Sequence, residues 1–349
     1  MDESLLKLIR DAMRGAATDV FLLEDEQPRI RREGKVTELH PGLIPRFAIQ
    51  SLWKSCGVDP NTSKEADVSW QLAAGKRMRV NLYHTLGRLA AVLRPIREDI
   101  PGLQKLEMPF ELLESWMIRA NGLVLVTGPK SSGKSTTVAA CLNWINENQF
   151  KHIVTLEDPI DFVFNNERSI FSQREIRLDT DNFSKALRSA LRQSPDVIFL
   201  GEIRDSETAL TALQAAESGH LVVSTMHGSG VAETLGRFIH LIGDSSDVAV
   251  QMLASQLIGV ISQRLLPKYG GGLYPALEYF QNDTDTRRWI LEKRLADLQD
   301  HISRSDGTTS CSALNYLVAA VKQNYLEFEV ARSACARPQD FDQALQGSS

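Results

Sequence analysis

The stretch "GLVLVTGPKSSGKSTTVAACLNWI", residues 122 to 145, constrains the fold of this chain more than any other. It reads as an apolar strand, a glycine-bracketed loop and a helix in direct succession, and "GPKSSGKS" matches the phosphate-binding pattern G-x-x-x-x-G-K-[ST]. Gly128 and Gly133 let the backbone wrap closely around phosphate oxygens, while the N–H groups and helix dipole at residues 133 to 136 favour an anion. Lys134 adds a full positive charge near the β- and γ-phosphates, and Ser135 offers a hydroxyl to Mg²⁺. The expected cradle is therefore Gly128, Pro129, Lys130, Ser131, Ser132, Gly133, Lys134, Ser135 and Thr136, with ATP and Mg²⁺ as the cofactors it would hold.

The surrounding pattern predicts where the partners of that loop stand. Short apolar runs at "LVLVTG", "HIVTLEDP", "DVIFLGE" and "HLVVSTMH" are apolar on both faces, as buried strands of a mostly parallel sheet are. In such a sheet the acid that holds the metal's water shell belongs at the carboxyl end of a strand, and Glu202 is placed there. Asp196, at the start of the same strand, falls at the far edge and suits a cap or turn. Asp205 suits either a supporting role behind the metal or a solvated helix start. Glu157, Asp158 and Asp161 follow another strand, with Pro159 forcing an abrupt exit; one of them would polarise the attacking water, the plainer reading being a charged turn. His220 precedes a strand and His227 follows it at the edge shared with Glu202, where a γ-phosphate sensor and a structural histidine are equally good readings.

A chain of 349 residues fits two domains better than one. "MDESLLKLIRDAMRG" reads as a first helix and lacks a signal-peptide pattern. "TDVFLL" and "PRIRREGKVTEL" read as strands, and "SWQLAAGKRMRVNLY" as a hairpin turning at Ala73, Ala74 and Gly75. Along its second strand Arg77, Arg79 and Asn81 share one face and Met78, Val80 and Leu82 the other, so the arginine face is not the core face. Three prolines (Pro95, Pro101 and Pro109) mark a linker ahead of the helix "FELLESWMIRA", and beyond residue 275 the pattern is predominantly helical. The expected fold is α/β: a small α+β domain over 1–95, a linker over 96–112, a P-loop core over 113–275 and a helical region over 276–349. Four scattered cysteines, Cys56, Cys141, Cys311 and Cys335, suggest free thiols rather than a zinc site or disulfides. A formal net charge of -5 argues against a broad nucleic-acid footprint, and no apolar run approaches the roughly 20 residues of a membrane span.

Four segments in order, "GPKSSGKS", "TLEDPIDF", "DVIFLGEIRD" and "SGHLVVSTMH", resemble the Walker A loop, Asp box, Walker B segment and His box of the PilT branch of the type II and type IV secretion ATPase superfamily. "LRSALRQSPD", leading into the third, "AATDVFL" and "RMRVNLY" of a PAS-like N-terminal domain, and the ending "ARPQDFDQAL" extend the resemblance over nearly the whole chain. It implies a RecA-like ATPase core and a cytoplasmic homo-hexamer that binds ATP between the P-loop domain of one subunit and the small domain of its neighbour. Arg77, Arg79 and Arg94 match family positions from which arginines approach the phosphates across that interface, such fingers being worth on the order of 10³ to 10⁵ in rate in other P-loop enzymes. The alternative for these arginines is an ordinary solvated strand face.

The resemblance further implies a motor at the inner-membrane face that withdraws type IV pili by turning a platform protein, with no membrane insertion of its own. The absence of an additional N-terminal domain and a four-cysteine zinc module favours retraction over assembly. Two departures stand out. Asp161 occupies a position that is usually glutamate and that orients the hydrolytic water, which implies slow turnover. "DTRRWILE" keeps only Arg287, Ile290 and Glu292 of the retraction motif approximating AIRNLIRE. A traffic ATPase of a secretion or conjugation apparatus shares the same four segments, and a weakly hydrolysing regulatory subunit is the reading outside the motor class. No substrate lid or second substrate motif of a small-molecule kinase is visible.

Overall fold

The computed structural model describes residues 2–14, 17–32, 35–72, 77–96, 99–243 and 247–347. Their contacts divide the chain into two units, Met1–Glu98 with Pro159–Val163, and Asp99–Asp158 with Phe164–Ser349.

In the first unit β1 (Asp19–Leu23), β2 (Arg29–Arg32), β3 (Lys35–Glu38), β4 (Glu65–Gln71), β5 (Arg77–Thr85) and β6 (Arg88–Pro95) form an antiparallel sheet ordered β3-β2-β1-β6-β5-β4. Strand alternation gives it one apolar face. Val20, Val80, Leu82 and Leu93 bury that face in a single core with Leu5 and Ile9 of α1 (Glu3–Arg14) and Ile49, Leu52 and Trp53 of α2 (Arg46–Ser55). Each such side chain, fully buried, contributes roughly 1.5–3 kcal/mol. On β5 the alternation leaves Arg77, Arg79 and Asn81 half-buried while Met78, Val80 and Leu82 are fully buried. The turn expected at Ala73, Ala74 and Gly75 lies outside the described residues; β4 and β5 pair with Gln71 opposite Arg77.

β6 ends at Pro95, directly before the segment expected as a linker over 96–112. One 3-10 turn (Leu103–Leu106) then precedes α3 (Phe110–Met117).

The second unit holds an eight-stranded sheet: β7 (Gly122–Thr127), β8 (His152–Glu157), β9 (Ile170–Glu175), β10 (Val197–Leu200), β11 (Leu221–Met226), β12 (Leu257–Pro267), β13 (Leu273–Gln281) and β14 (Ser310–Cys311), ordered β14-β13-β12-β7-β11-β10-β8-β9. The six strands from β12 to β9 in that order are parallel, and β13 and β14 add antiparallel. Every residue of β7, β10 and β11 is buried, as strands covered on both faces must be. Packed with this sheet in the main core are residues of α5 (Phe183–Ala190), α6 (Ser206–Glu217), α7 (Val231–Ile242) and α8 (Asp247–Gln256), while α4 (Lys134–Asn148) follows directly from the β7 loop.

Residue 275 is not the end of the sheet, because β13 continues to Gln281 and β14 adds a further edge strand within the region expected to be helical. The helices beyond divide between two cores. Ile290 of α9 (Thr286–Leu291) and Leu298 and Ile302 of α10 (Leu295–Arg304) belong to the main core, and Lys293, with φ 57°, breaks the run between them. The helices α11 (Ala313–Lys322), α12 (Phe328–Ala334) and α13 (Pro338–Gly347) instead bury Leu317, Ala331 and Phe341 against Tyr274 and Ala276 of β13. All four cysteines are free thiols, and burial pushes Cys141 up to about 12.

Candidate nucleotide site

Because β7, β8, β10 and β11 run parallel, their carboxyl ends share one edge of the sheet, and each delivers a candidate residue there. From β7 the chain enters the loop through Gly128 at φ 145°, passes Ser131 at φ 63° and enters α4 through Gly133 at φ 89°. A Cβ on Gly128 would stand 2.2 Å from the Gln263 carbonyl oxygen, so that position admits only glycine. No side chain caps the amino end of α4, and the Ser132 hydroxyl is buried with no hydrogen-bond partner. Open helix N–H groups and an orphaned hydroxyl around a concave backbone fit a phosphate.

Lys134 folds back over this loop, its Nζ donating to the carbonyls of Gly128 (2.9 Å) and Pro129 (2.8 Å). Burial lowers the lysine's pKa from its ordinary value, opposed by the charge of Glu202. Lys130 and Ser131 are exposed, and Ser135 and Thr136 half-buried at the start of α4.

Glu202 stands just past β10, its side chain 14% exposed. His227 Nε2, just past β11, lies 3.1 Å from one carboxylate oxygen, and Arg204 donates to the other through Nε at 2.7 Å and Nη2 at 2.6 Å. The hydrogen bond to Glu202 raises the pKa of Arg204 further. Neighbouring backbone holds the pair in place: the Ser224 hydroxyl donates to the Leu200 carbonyl at 2.9 Å, and the Ile203 N–H to that of Thr225 at 3.0 Å. Glu157, at the end of β8, is buried and accepts the Thr155 hydroxyl at 2.7 Å.

Several candidates have other work. Asp205 caps α6, accepting from the Thr208 N–H at 2.8 Å, which makes it a helix start. Asp196 lies at the opposite edge and accepts the His152 N–H at 2.8 Å. Asp158 pairs with Arg177 at 3.3 Å, and His220 Nδ1 lies 3.0 Å from the Ala215 carbonyl. Asp161 is exposed, on the segment that groups with the first unit. In that unit Arg79 lies directly opposite Arg94 across the β5–β6 pair, and Arg94 donates from Nε (2.9 Å) and Nη2 (2.6 Å) to Asp19.

Sequence reading passed over three residues that support the edge. Gln263 of β12 is buried against the loop, donating to the Ser132 carbonyl and accepting from the Thr137 hydroxyl. Thr234 of α7 joins Thr127 at 3.1 Å to the Gly230 carbonyl at 2.7 Å, tying the turn after His227 to the strand that bears the loop. Glu278 of β13, whose pKa burial raises, accepts from the Val231 N–H at the start of α7 and from Gln299 at 2.8 Å. Only Gln263 carried a signal, as a polar residue inside the apolar run "LIGVISQRLL".

No cluster of three or more His, Cys, Asp or Glu among the described residues is able to hold a metal alone. Mg²⁺, which takes most of its shell from phosphate and water, fits a site offering one hydroxyl, Ser135, and one carboxylate, Glu202.

A buried parallel sheet with this loop on a central strand, and with His227 and Glu202 at the ends of the next two strands, defines a P-loop nucleotide-binding protein. Residues 58–338 match the family described as type II/IV secretion system protein, and the chain belongs to that family. The chain is 34% identical over 344 residues to the type IV pilus retraction ATPase PilT of Pseudomonas aeruginosa, spanning 97% of this chain and 99% of that one. A crystal structure of the pilus retraction motor PilT with bound ADP superposes with a TM-score of 0.89 at 36% identity, covering 97% of this chain and 98% of the other. The Legionella pneumophila ATPase DotB superposes with a TM-score of 0.76 at 26% identity, covering 93% of each chain. These likenesses place the chain among ATPases with a PilT-like fold.

Strain of about 1–3 kcal/mol at a glycine-only backbone position corresponds to about 5- to 150-fold in affinity. Gly128→Ala is therefore expected to weaken ADP binding within that range, read by calorimetric titration, with the circular dichroism spectrum unchanged.

Proposed function

We propose that the chain is the ATP-hydrolysing subunit of a homo-hexameric motor that withdraws type IV pili. The observation that carries the reading is the full-length likeness to PilT, joined to a Glu202 carboxylate held between His227 and Arg204 beside the phosphate loop. It acts in the cytoplasm at the inner-membrane face, on a platform protein of the pilus machine; among the described residues no helix is long and apolar enough to cross a membrane.

In this mechanism the N–H groups of residues 131 to 136 bind the phosphates, and Lys134 exchanges its two loop carbonyls for phosphate oxygens. Ser135 and Glu202 would hold Mg²⁺, which supplies charge neutralisation across the β- and γ-phosphates. Asp161 orients the hydrolytic water, with Glu157 as the second carboxylate of that turn. His227 reports loss of the γ-phosphate through its contact with Glu202. Arg77, Arg79 and Arg94 of the neighbouring subunit neutralise charge on the transferring group. Asp19 takes two of the donors of Arg94, and a guanidinium has five, so its Nη1 edge remains for a phosphate. The domain boundaries that serve this motion are those of the small N-terminal domain, the P-loop core and the C-terminal helices.

A motor of a secretion apparatus is the second reading, favoured by the family's description. Counting surface pili on cells carrying Lys134→Ala at the chromosomal locus separates the two. Excess pili that do not retract are expected. Bald cells would make the protein an assembly motor, and unchanged piliation would move it to secretion.

Aspartate at 161 is one methylene shorter than glutamate, and a displacement of about 1 Å at a reacting centre costs on the order of 10²-fold. Asp161→Glu is expected to raise ATP turnover in a steady-state phosphate-release assay; unchanged or lower turnover would remove Asp161 from the water-orienting role.

A further inference from the structure

We propose that Gln263 locks the phosphate loop in its binding shape, a positioning role that rests on the reading of residues 128 to 136 as the nucleotide-phosphate site. Gln263 is 2% exposed on β12, the strand beside β7, where Ser262 pairs with Thr127. Its side-chain amide spans two elements. Nε2 donates to the Ser132 carbonyl at 2.6 Å, and Oε1 accepts from the buried Thr137 hydroxyl, in the first turn of α4, at 2.8 Å. Its backbone carbonyl fills the space beside Gly128 where a Cβ would stand, and Nε2 lies 2.9 Å from the Cβ position of Gly133. One residue thus meets the loop at its start, its middle and its end.

Peptide planarity turns this contact into a statement about the phosphate side. The Ser132 C=O and the Gly133 N–H belong to one trans peptide plane and point in opposite directions. Holding the carbonyl against β12 therefore aims the Gly133 N–H away from the sheet, into the concavity of the loop. The Thr137 bond fixes the helix turn that supplies the next N–H groups, whose backbone closure is the Thr137 N–H to Gly133 carbonyl bond at 3.0 Å. With one of its two amide N–H groups engaged at Ser132 and its oxygen at Thr137, the side chain is anchored inside the fold and acts on the loop by holding it in shape. A loop released from it would be competent for only a fraction of the time, and apparent affinity falls by that fraction.

Titration of the full-length protein with Mg·ADP, together with steady-state ATP kinetics, tests this. Gln263→Met removes both bonds with little change of volume; if the competent population drops to about a tenth, ADP binding weakens about tenfold. KM for ATP then rises by more than kcat falls, which a general loss of folded protein would not produce. Gln263→Glu, which sets an oxygen against the Ser132 carbonyl, is expected to weaken ADP at least as much. Thr137→Ser, which keeps the hydroxyl, should bind ADP as wild type does, and Thr137→Val more weakly. Native-like melting of Gln263→Met with ADP affinity within about twofold of wild type would overturn the proposal; that is the spread at which the competent fraction has not changed tenfold. If Gln263→Met does not fold, equal affinities of Thr137→Ser and Thr137→Val overturn it. Lys134→Ala run in parallel separates the two levels of the argument. Loss of ADP there with none in Gln263→Met defeats this inference alone, whereas unchanged binding in Lys134→Ala defeats the reading of the site and this inference with it.

Discussion

The turn between a fully buried central strand and the helix that follows it is the constraint on which the rest of this structure depends. β7 has no exposed residue, so its end cannot relax outward, and α4 begins only seven residues beyond Thr127. The chain closes that gap by taking positive φ at Gly128, Ser131 and Gly133. Such a path leaves the amino end of α4 without a side-chain cap, and N–H groups left open there are costly unless an anion or water satisfies them. The strained loop and the uncapped helix are thus two aspects of one arrangement, and both suit an anionic ligand.

Electrostatics extends this arrangement along the sheet edge. Lys134, partly desolvated, sits in the field of Glu202, and Glu202 is divided between His227 and Arg204. A carboxylate shared between a histidine and an arginine on different strand ends responds to any change in charge beside it. Thr234 and Glu278 carry the position of the His227 turn to β7 on one side and, through Gln299, to the C-terminal helices on the other. On the N-terminal unit the two arginines facing each other across β5 and β6 are a like-charge pair that costs stability unless an acid lies between them. Asp19 offsets that for Arg94, bridging it to Arg31 at 3.3 Å.

What was legible in the sequence was what is local in the chain. The phosphate loop, Glu202 and His227 each sit within two residues of an apolar strand, so their edge follows from strand direction alone. The alternation that set Arg77 and Arg79 apart from Met78 and Val80 is likewise a property of consecutive residues. Gln263 is different, because its partners Thr137 and Ser132 lie 126 and 131 residues away in sequence, and a single glutamine in a strand says nothing of them. The pairing of Arg94 with Asp19, 75 residues distant, was hidden for the same reason. Strands β9 and β13 were missed on other grounds: "IFSQRE" mixes polar residues as an edge strand does, and Pro275 interrupts the pattern of "LYPALEYFQ".

A crystal structure of the full chain with Mg²⁺ and ADP tests the central claim most directly. The account predicts the β-phosphate within hydrogen-bonding distance of the N–H groups of residues 131 to 135, with Lys134 Nζ moved from the Gly128 and Pro129 carbonyls onto a phosphate oxygen. ADP bound elsewhere, with Lys134 still on those carbonyls, would contradict it.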